Sequence, residues 1–229
     1  MTKYAKANRY NSYLPIWFQA IKGVSAVKSG IMNIPMILGL VLVSMVAGAA
    51  VTYLGYYTPF VILSSVLMAI GAGLLSTLTE SSGHSKWIGY QVIFGAGVGF
   101  GMQQTLIAVQ TVLPKADIPI GTAIMMFCQT LGGALFISVA QNVFTNRLLS
   151  NLLQTVPNLS PALVLSTGAT SLKDVIPQQF LPGVQKAYNG AIMDTFYVAV
   201  ALAALSIFGA VFFEWKSVKG KKIEMAGAA

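Results

Sequence analysis

The chain has 229 residues, of which 55% are apolar and 9% charged, against roughly a quarter charged in soluble domains. That balance excludes a disordered chain and argues against a soluble enzyme. The net charge of +8, from 14 Lys and Arg against 6 Asp and Glu, gathers at the two ends and in the connecting loops. This is a membrane-flank pattern rather than the basic face of a nucleic-acid binder, so no nucleic-acid partner is expected. One His and the lone Cys128 leave no zinc module and no intrachain disulfide.

In chain order, residues 1–29 form a basic segment that leads into no signal peptide: Met1 to Ser12 precede no clean apolar core with a small-residue cleavage site. Tyr13 to Ile21 supplies only about nine mostly apolar residues, too few to cross the hydrocarbon, and reads as the far end of a span whose beginning is absent. No charge occurs between Lys28 and Glu80, between Lys86 and Lys115, between Asp117 and Arg147, or between Asp194 and Glu214. Each run has room for the ~20 apolar residues of a membrane helix. The first run is broken at Thr52 to Pro59, where Gly55 and Pro59 interleave with Tyr53, Tyr56 and Tyr57, so it predicts spans at about 31–51 and 60–78 joined by a hairpin at headgroup level. Further spans are expected at about 87–113, closed by Pro114, at 120–144, and at 191–213. Between the last two, residues 148–189 hold Pro157, Pro161, Pro177 and Pro182 and are expected as a loop too broken to span. Residues 30–215 thus form the bundle and residues 216–229 a basic tail.

Positive charge near span ends stays in the cytoplasm, which places the tail inside and the loop 148–189 outside. Within that loop Asn158, Leu159 and Ser160 form a glycosylation sequon followed by Pro161. Five spans then put the basic N-terminal segment outside, a conflict that a sixth span would remove.

Glycine and uncharged polar residues carry the remaining signal. Gly95, Gly97, Gly99 and Gly101 alternate along the third span, giving two small-xxx-small pairs on nearly opposite faces. Gly132 and Gly133 lie in the fourth span. Close helix packing is one reading, and the general tolerance of membrane helices for glycine is the other. Gln103 and Gln110 share a face, as do Thr122 and Gln129, with Gln91 and Gln104 off that stripe. These four either line a polar path or make interhelical hydrogen bonds, and Asn33 before Pro35 has the same two readings. No acid lies mid-membrane, and Asp194 stands about one turn inside the last span. There is no Ser-His-Asp grouping, no HExxH and no GxxxxGK[ST], so hydrolase, metalloprotease and nucleotide-driven pump chemistry have no support.

The runs YLPIWFQAIKGVSAVKSG, GIMNIPMI, KWIGYQVIFGAGVGFGMQQTLIAVQTVLP and IPIGTAIMMFCQTLGGALFISVAQNVF together resemble the carboxyl-terminal half of fungal major facilitator superfamily efflux pumps, in the fourteen-span drug:proton antiporter branch that includes mycotoxin exporters. The resemblance runs from about Tyr13 to Trp215. It implies an all-α, polytopic membrane helix bundle, with five complete transmembrane helices and a truncated sixth, that exports a small lipophilic metabolite in exchange for protons by alternating access. The implied setting is the plasma membrane or the vacuolar membrane, with the lipid bilayer and a small lipophilic substrate as partners and no cofactor. The amino-terminal bundle of such a carrier is absent, so a missing bundle becomes an expected partner. A non-transporting relic, or an accessory packed on other membrane helices, stands as the alternative. Gln103, Gln110, Thr122 and Gln129 are the expected cavity residues.

Overall fold

The computed structural model describes residues 13–218. Lys3, Lys6 and Arg9, and the tail residues Lys219, Lys221 and Lys222, therefore lie outside the described residues. Helix α1 (Tyr13–Ala20) ends in a turn at Gly23, whose φ of +64° is a left-handed conformation that glycine adopts without cost. α2 (Ala26–Ile31) starts at Ser25, whose hydroxyl accepts from Lys28 N–H at 3.3 Å, a side-chain cap for an otherwise orphaned donor. It continues almost directly into α3 (Ile34–Leu54), the two being separated at Met32 and Asn33, just before Pro35. Proline cannot donate to the preceding turn, and the helix breaks there. Gly55 then caps α3 at φ +83°, and Pro59 sits in the first turn of α4 (Thr58–Leu75), which makes the expected hairpin tight.

α5 (His84–Met102) and α6 (Gln104–Val112) form one span interrupted at Gln103, and α7 (Ile118–Thr155) follows a short turn. α8 (Pro161–Ser166), a 3₁₀ turn (Ala169–Ser171) and α9 (Leu172–Val175) lead to α10 (Leu181–Val211). The described residues contain no strand, only an isolated bridge between Tyr56 and Ser217. Among the described residues five segments are long and apolar enough to cross a membrane: Ala26–Leu54, Thr58–Leu75, His84–Val112, Ile118–Thr155 and Leu181–Val211. The fold is all-α and polytopic, as expected.

Two helices run further than the charge pattern suggested. α7 was expected to stop near residue 144 and continues to Thr155, while α10 was expected from residue 191 and begins at Leu181. Polar residues had marked those boundaries, but a helix outside the hydrocarbon needs only one apolar face. Phe144, Leu148 and Leu152 on α7 supply such a face, and Val184, Tyr188 and Ile192 on α10 supply its partner, all of them buried. At 38 residues α7 is about 57 Å long, so it projects well past the ~30 Å hydrocarbon layer.

The stretch expected as a broken loop is also a packed cap. Val164, Leu172 and Ile176 are buried in the same cluster as Trp17, Phe18, Leu75, Leu78 and Trp87. Thr170 Oγ1 ties the cap to α1, donating to Gln19 Oε1 at 2.5 Å, and α1 is tied in turn to α10, where Trp17 Nε1 donates to Asn189 Oδ1 at 2.7 Å and Gln185 Nε2 donates to the Ala20 and Ile21 carbonyls at 3.1 and 3.2 Å. Lys22 donates to the Glu80 and Ser82 carbonyls at 2.8 and 2.9 Å and lies 5.3 Å from the Trp17 ring, and its burial lowers its pKa. A smaller cluster of Val51, Tyr57, Phe60, Ile107, Ala108 and Val218 closes the opposite end. Between these ends the helices form a row, α5 packing between α3 and α4, α4 on α10, and α10 on α7.

Candidate functional site

The middle of the bundle is built on α5. A Cβ placed on Gly95 would collide with the Met36 carbonyl, and one on Gly99 would lie 2.5 Å from the Leu40 carbonyl oxygen, both in α3. On the other side, a Cβ on Gly97 would lie 2.6 Å from Met68 N, and one on Gly101 would collide with Ser64 Oγ, both in α4. Gly71 of α4 returns the contact, a Cβ there lying 2.6 Å from Phe94 Cα. The backbones of α3, α5 and α4 therefore touch, with Ser64 Oγ donating to the Gly97 carbonyl at 2.7 Å. Gly132 and Gly133 differ. A Cβ on either meets nothing within 4 Å, so among the described residues they are not packing glycines.

Next to this seam lies a cavity of about 640 Å³ whose walls come from α3, α4, α5, α6, α7, α10 and Phe213. Leu40, Val61, Met68, Val98, Met102 and Phe213 make it largely apolar, and its polar side chains are Ser64, Ser65, Thr105, Gln129 and Ser206. Three of the hydroxyls already spend their protons on backbone carbonyls: Ser64 on Gly97, Ser65 on Val61 at 3.2 Å, and Ser206 on Ala203 at 2.7 Å. What these serines offer a ligand is oxygen lone pairs. Gln129 adds an amide that can both donate and accept.

Of the four residues expected to line a substrate cavity, Gln129 is on the wall of this one. Gln103 sits at the α5–α6 break, Gln110 on α6 and Thr122 near the start of α7, and none of the three lines the cavity. The break at Gln103 removes the continuous helix on which the seven-residue spacing relied. Two glutamines that the spacing left aside are wholly buried instead. Gln91 Nε2 donates to the Met32 carbonyl at 3.0 Å while its Oε1 has no partner, and neither polar atom of the Gln104 side chain has one. Asn33 Nδ2 donates to the Ser29 carbonyl at 2.7 Å, its Oδ1 being likewise unpartnered. Asn158 is exposed between α7 and α8. Asp194 pairs with Arg147, Oδ2 to Nε at 3.3 Å. Among the described residues no group of three or more His, Cys, Asp or Glu could hold a metal ion.

Five apolar helices, glycine-tight contacts and a mixed cavity define a multi-pass membrane protein built as a helix bundle. No protein-family model matches the chain. It is 63% identical over 216 residues to an MFS-type efflux pump of Arthroderma benhamiae, covering 94% of this chain and 40% of that pump. It is 55% identical over 207 residues to an efflux pump of Penicillium rubens, covering 90% and 38%, and 56% identical over 199 residues to an acetylaranotin efflux transporter of Aspergillus terreus, covering 87% and 44%. The chain is homologous to part of the fungal major facilitator efflux pumps, and it spans about two fifths of the length of the curated relatives it matches.

Proposed function

We propose that the chain is part of an exporter of small lipophilic secondary metabolites or drugs, working by alternating access and proton antiport. The observation that carries this reading is the cavity with Gln129 on its wall, in a chain so similar to efflux pumps. A mostly apolar pocket with a few polar side chains binds a lipophilic molecule and orients it. The serine lone pairs favour a substrate that brings hydroxyl or N–H donors. α5, locked between α3 and α4, supplies the rigid body that alternating access moves. Proton coupling rests with the part of the relatives' length that this chain does not span, and the membrane is the plasma membrane or the vacuolar membrane.

The test is a chimera in which this chain replaces the matching stretch of the Arthroderma benhamiae pump, assayed for energised export of a lipophilic dye. Gln129→Ala should lower export several-fold and Met68→Trp, which fills the cavity, should nearly abolish it. Unchanged export in both would remove the cavity from the substrate path. Collapse of the proton gradient should stop export by the parent chimera.

The same reading places the cap outside and the tail inside, on the strength of Lys216 and the three lysines beyond it. The cap end carries cations too: Lys22 is spent on carbonyls and Arg147 on Asp194, while Lys28, Lys86, Lys173 and Lys186 have no ion pair among the described residues, so labelling decides the side. Gly168 is exposed and a Cβ there meets nothing within 4 Å, so Gly168→Cys in a Cys128→Ser background should react with a membrane-impermeant maleimide added to intact cells. Reaction only after permeabilisation would invert the topology.

A further inference from the structure

A second groove, of about 640 Å³, runs between α7 and α10 and shares no residue with the cavity above. On α7 it is lined by two parallel rows spaced four residues apart. Leu135, Val139 and Val143 form an apolar row, and Ser138, Asn142 and Asn146 a polar one. Both lead to the Arg147–Asp194 pair at the end nearer the cap. From Leu135 to Arg147 the groove is about 18 Å long. If the ~20-residue hydrocarbon crossing of α7 ends near Ala140, Arg147 stands about 10 Å beyond it, at headgroup depth.

The pair is short of the closest charge-pair geometry and only partly shielded. It is made through Arg147 Nε at 3.3 Å, with 62% of the Arg147 side chain and 33% of the Asp194 side chain exposed. Guanidinium donors and carboxylate lone pairs therefore remain available to a third party. A groove with a hydrocarbon track and a dipolar, net neutral end is complementary to one amphiphile chemistry: an acyl chain carrying a phosphate and an ammonium. The phosphate would take the planar guanidinium, the ammonium would donate to Asp194, and Asn146 and Tyr197, both on the groove wall, would reach the oxygens between them.

We propose that this groove binds a zwitterionic phospholipid from the leaflet on the cap side, with a primary-amine headgroup preferred. A phosphatidylethanolamine satisfies both charges and gives Asp194 true N–H donors. A phosphatidylcholine matches the charges but its quaternary ammonium has no proton to donate, and a phosphatidylglycerol leaves Asp194 facing an anion. The order of retention should be ethanolamine, choline, glycerol.

The experiment is native mass spectrometry of the purified chain in mild detergent, titrated with the three lipids bearing identical acyl chains. One phosphatidylethanolamine should be retained about tenfold better than phosphatidylglycerol, the factor expected for one charge-assisted hydrogen bond. Arg147→Gln and Asp194→Asn should each abolish the headgroup preference, and the exchanged pair Arg147→Asp with Asp194→Arg should restore it. Val139→Phe leaves the pair intact and fills the track, so it should cut retention of all three lipids, which keeps the test decisive should a charge variant fail to fold. Equal retention of the three lipids by the parent, or undiminished retention by Val139→Phe, would overturn the proposal.

Discussion

The four alternating glycines of α5 act in two pairs, because about 100° per residue sends Gly95 and Gly99 one way and Gly97 and Gly101 the other, and the collisions a Cβ would make fall on α3 for the first pair and on α4 for the second. Leucine at Gly97 or Gly99 meets backbone, which cannot rotate aside, and should destabilise the bundle by at least about 1–3 kcal/mol through overpacking. Leucine at Gly132 meets open space and should leave thermal unfolding in detergent unchanged, so equal melting of all three variants would remove the close-contact account. Gln104 is the opposite case, a buried amide with no partner on either atom, in a setting where such a group costs about 1–3 kcal/mol. Gln104→Met keeps the shape and removes the polar atoms, so the unfolding midpoint should rise. A fall would mean that the amide is satisfied after all, for instance by internal water. The glycine pairs were legible in the sequence because their period is local. The Gln104 burial was not, because it depends on the break at Gln103 and on α4 and α7 lying against α6, which no spacing within one segment reports.

Among elements, the least anticipated are the tail and the cap. The chain after α10 returns to the α3–α4 hairpin: Val218 N–H donates to the Gly55 carbonyl at 2.9 Å, and the Glu214 carbonyl accepts from Tyr57 Oη at 2.7 Å and Thr58 Oγ1 at 3.1 Å. Tyr57, expected as an interfacial belt residue, is instead wholly buried and acts as the latch. Its burial, and secondarily the Glu214 carboxylate, raise its pKa above the ordinary value near 10, against a smaller opposing effect of Lys216. A raised folded-state pKa means that the folded chain keeps its proton where the unfolded chain has lost it. The latch's contribution is therefore fully present below pH 10 and is lost as pH rises through the folded pKa. Amide hydrogen exchange at residues 214–218, corrected for its intrinsic pH dependence, should show protection falling above pH 10, and Tyr57→Phe should abolish that fall. The spans themselves were legible from charge-free runs, whereas the overhangs of α7 and α10 were not, since Asn146, Arg147 and Asn189 look like loop residues until Leu148 and Leu152 of α7 and Tyr188 of α10 are seen to meet in one buried cluster.

At the scale of the molecule, burial is uneven in a way that points outward. The most apolar 18-residue window of α4 is 44% buried, while that of α7 is 0% buried. A helix facing only lipid is apolar all round, yet the exposed residues of α7 include Cys128, Gln129, Thr130 and Ser138. Thr130 and Ser138 turn their protons back to the Met126 and Ala134 carbonyls, which mutes their polarity, but the Gln129 amide has no such way out and costs free energy against hydrocarbon. Such a face suits a covering surface with some polarity, and the relatives, of which this chain spans about two fifths, have the length to supply one. Cys128, exposed beside Gln129, is a native reporter of that cover. In mild detergent its reaction with N-ethylmaleimide should be fast in the chain alone and at least several-fold slower in the chimera with the remaining length of the Arthroderma benhamiae pump. Energised dye export should appear only in the chimera, because the Asp194 carboxylate is paired and partly exposed near a span end and no other acid of the described residues lies within an apolar window. Equal thiol reactivity in the two proteins would mean that α7 faces lipid in both, and export by the chain alone would mean that these five helices suffice as a carrier.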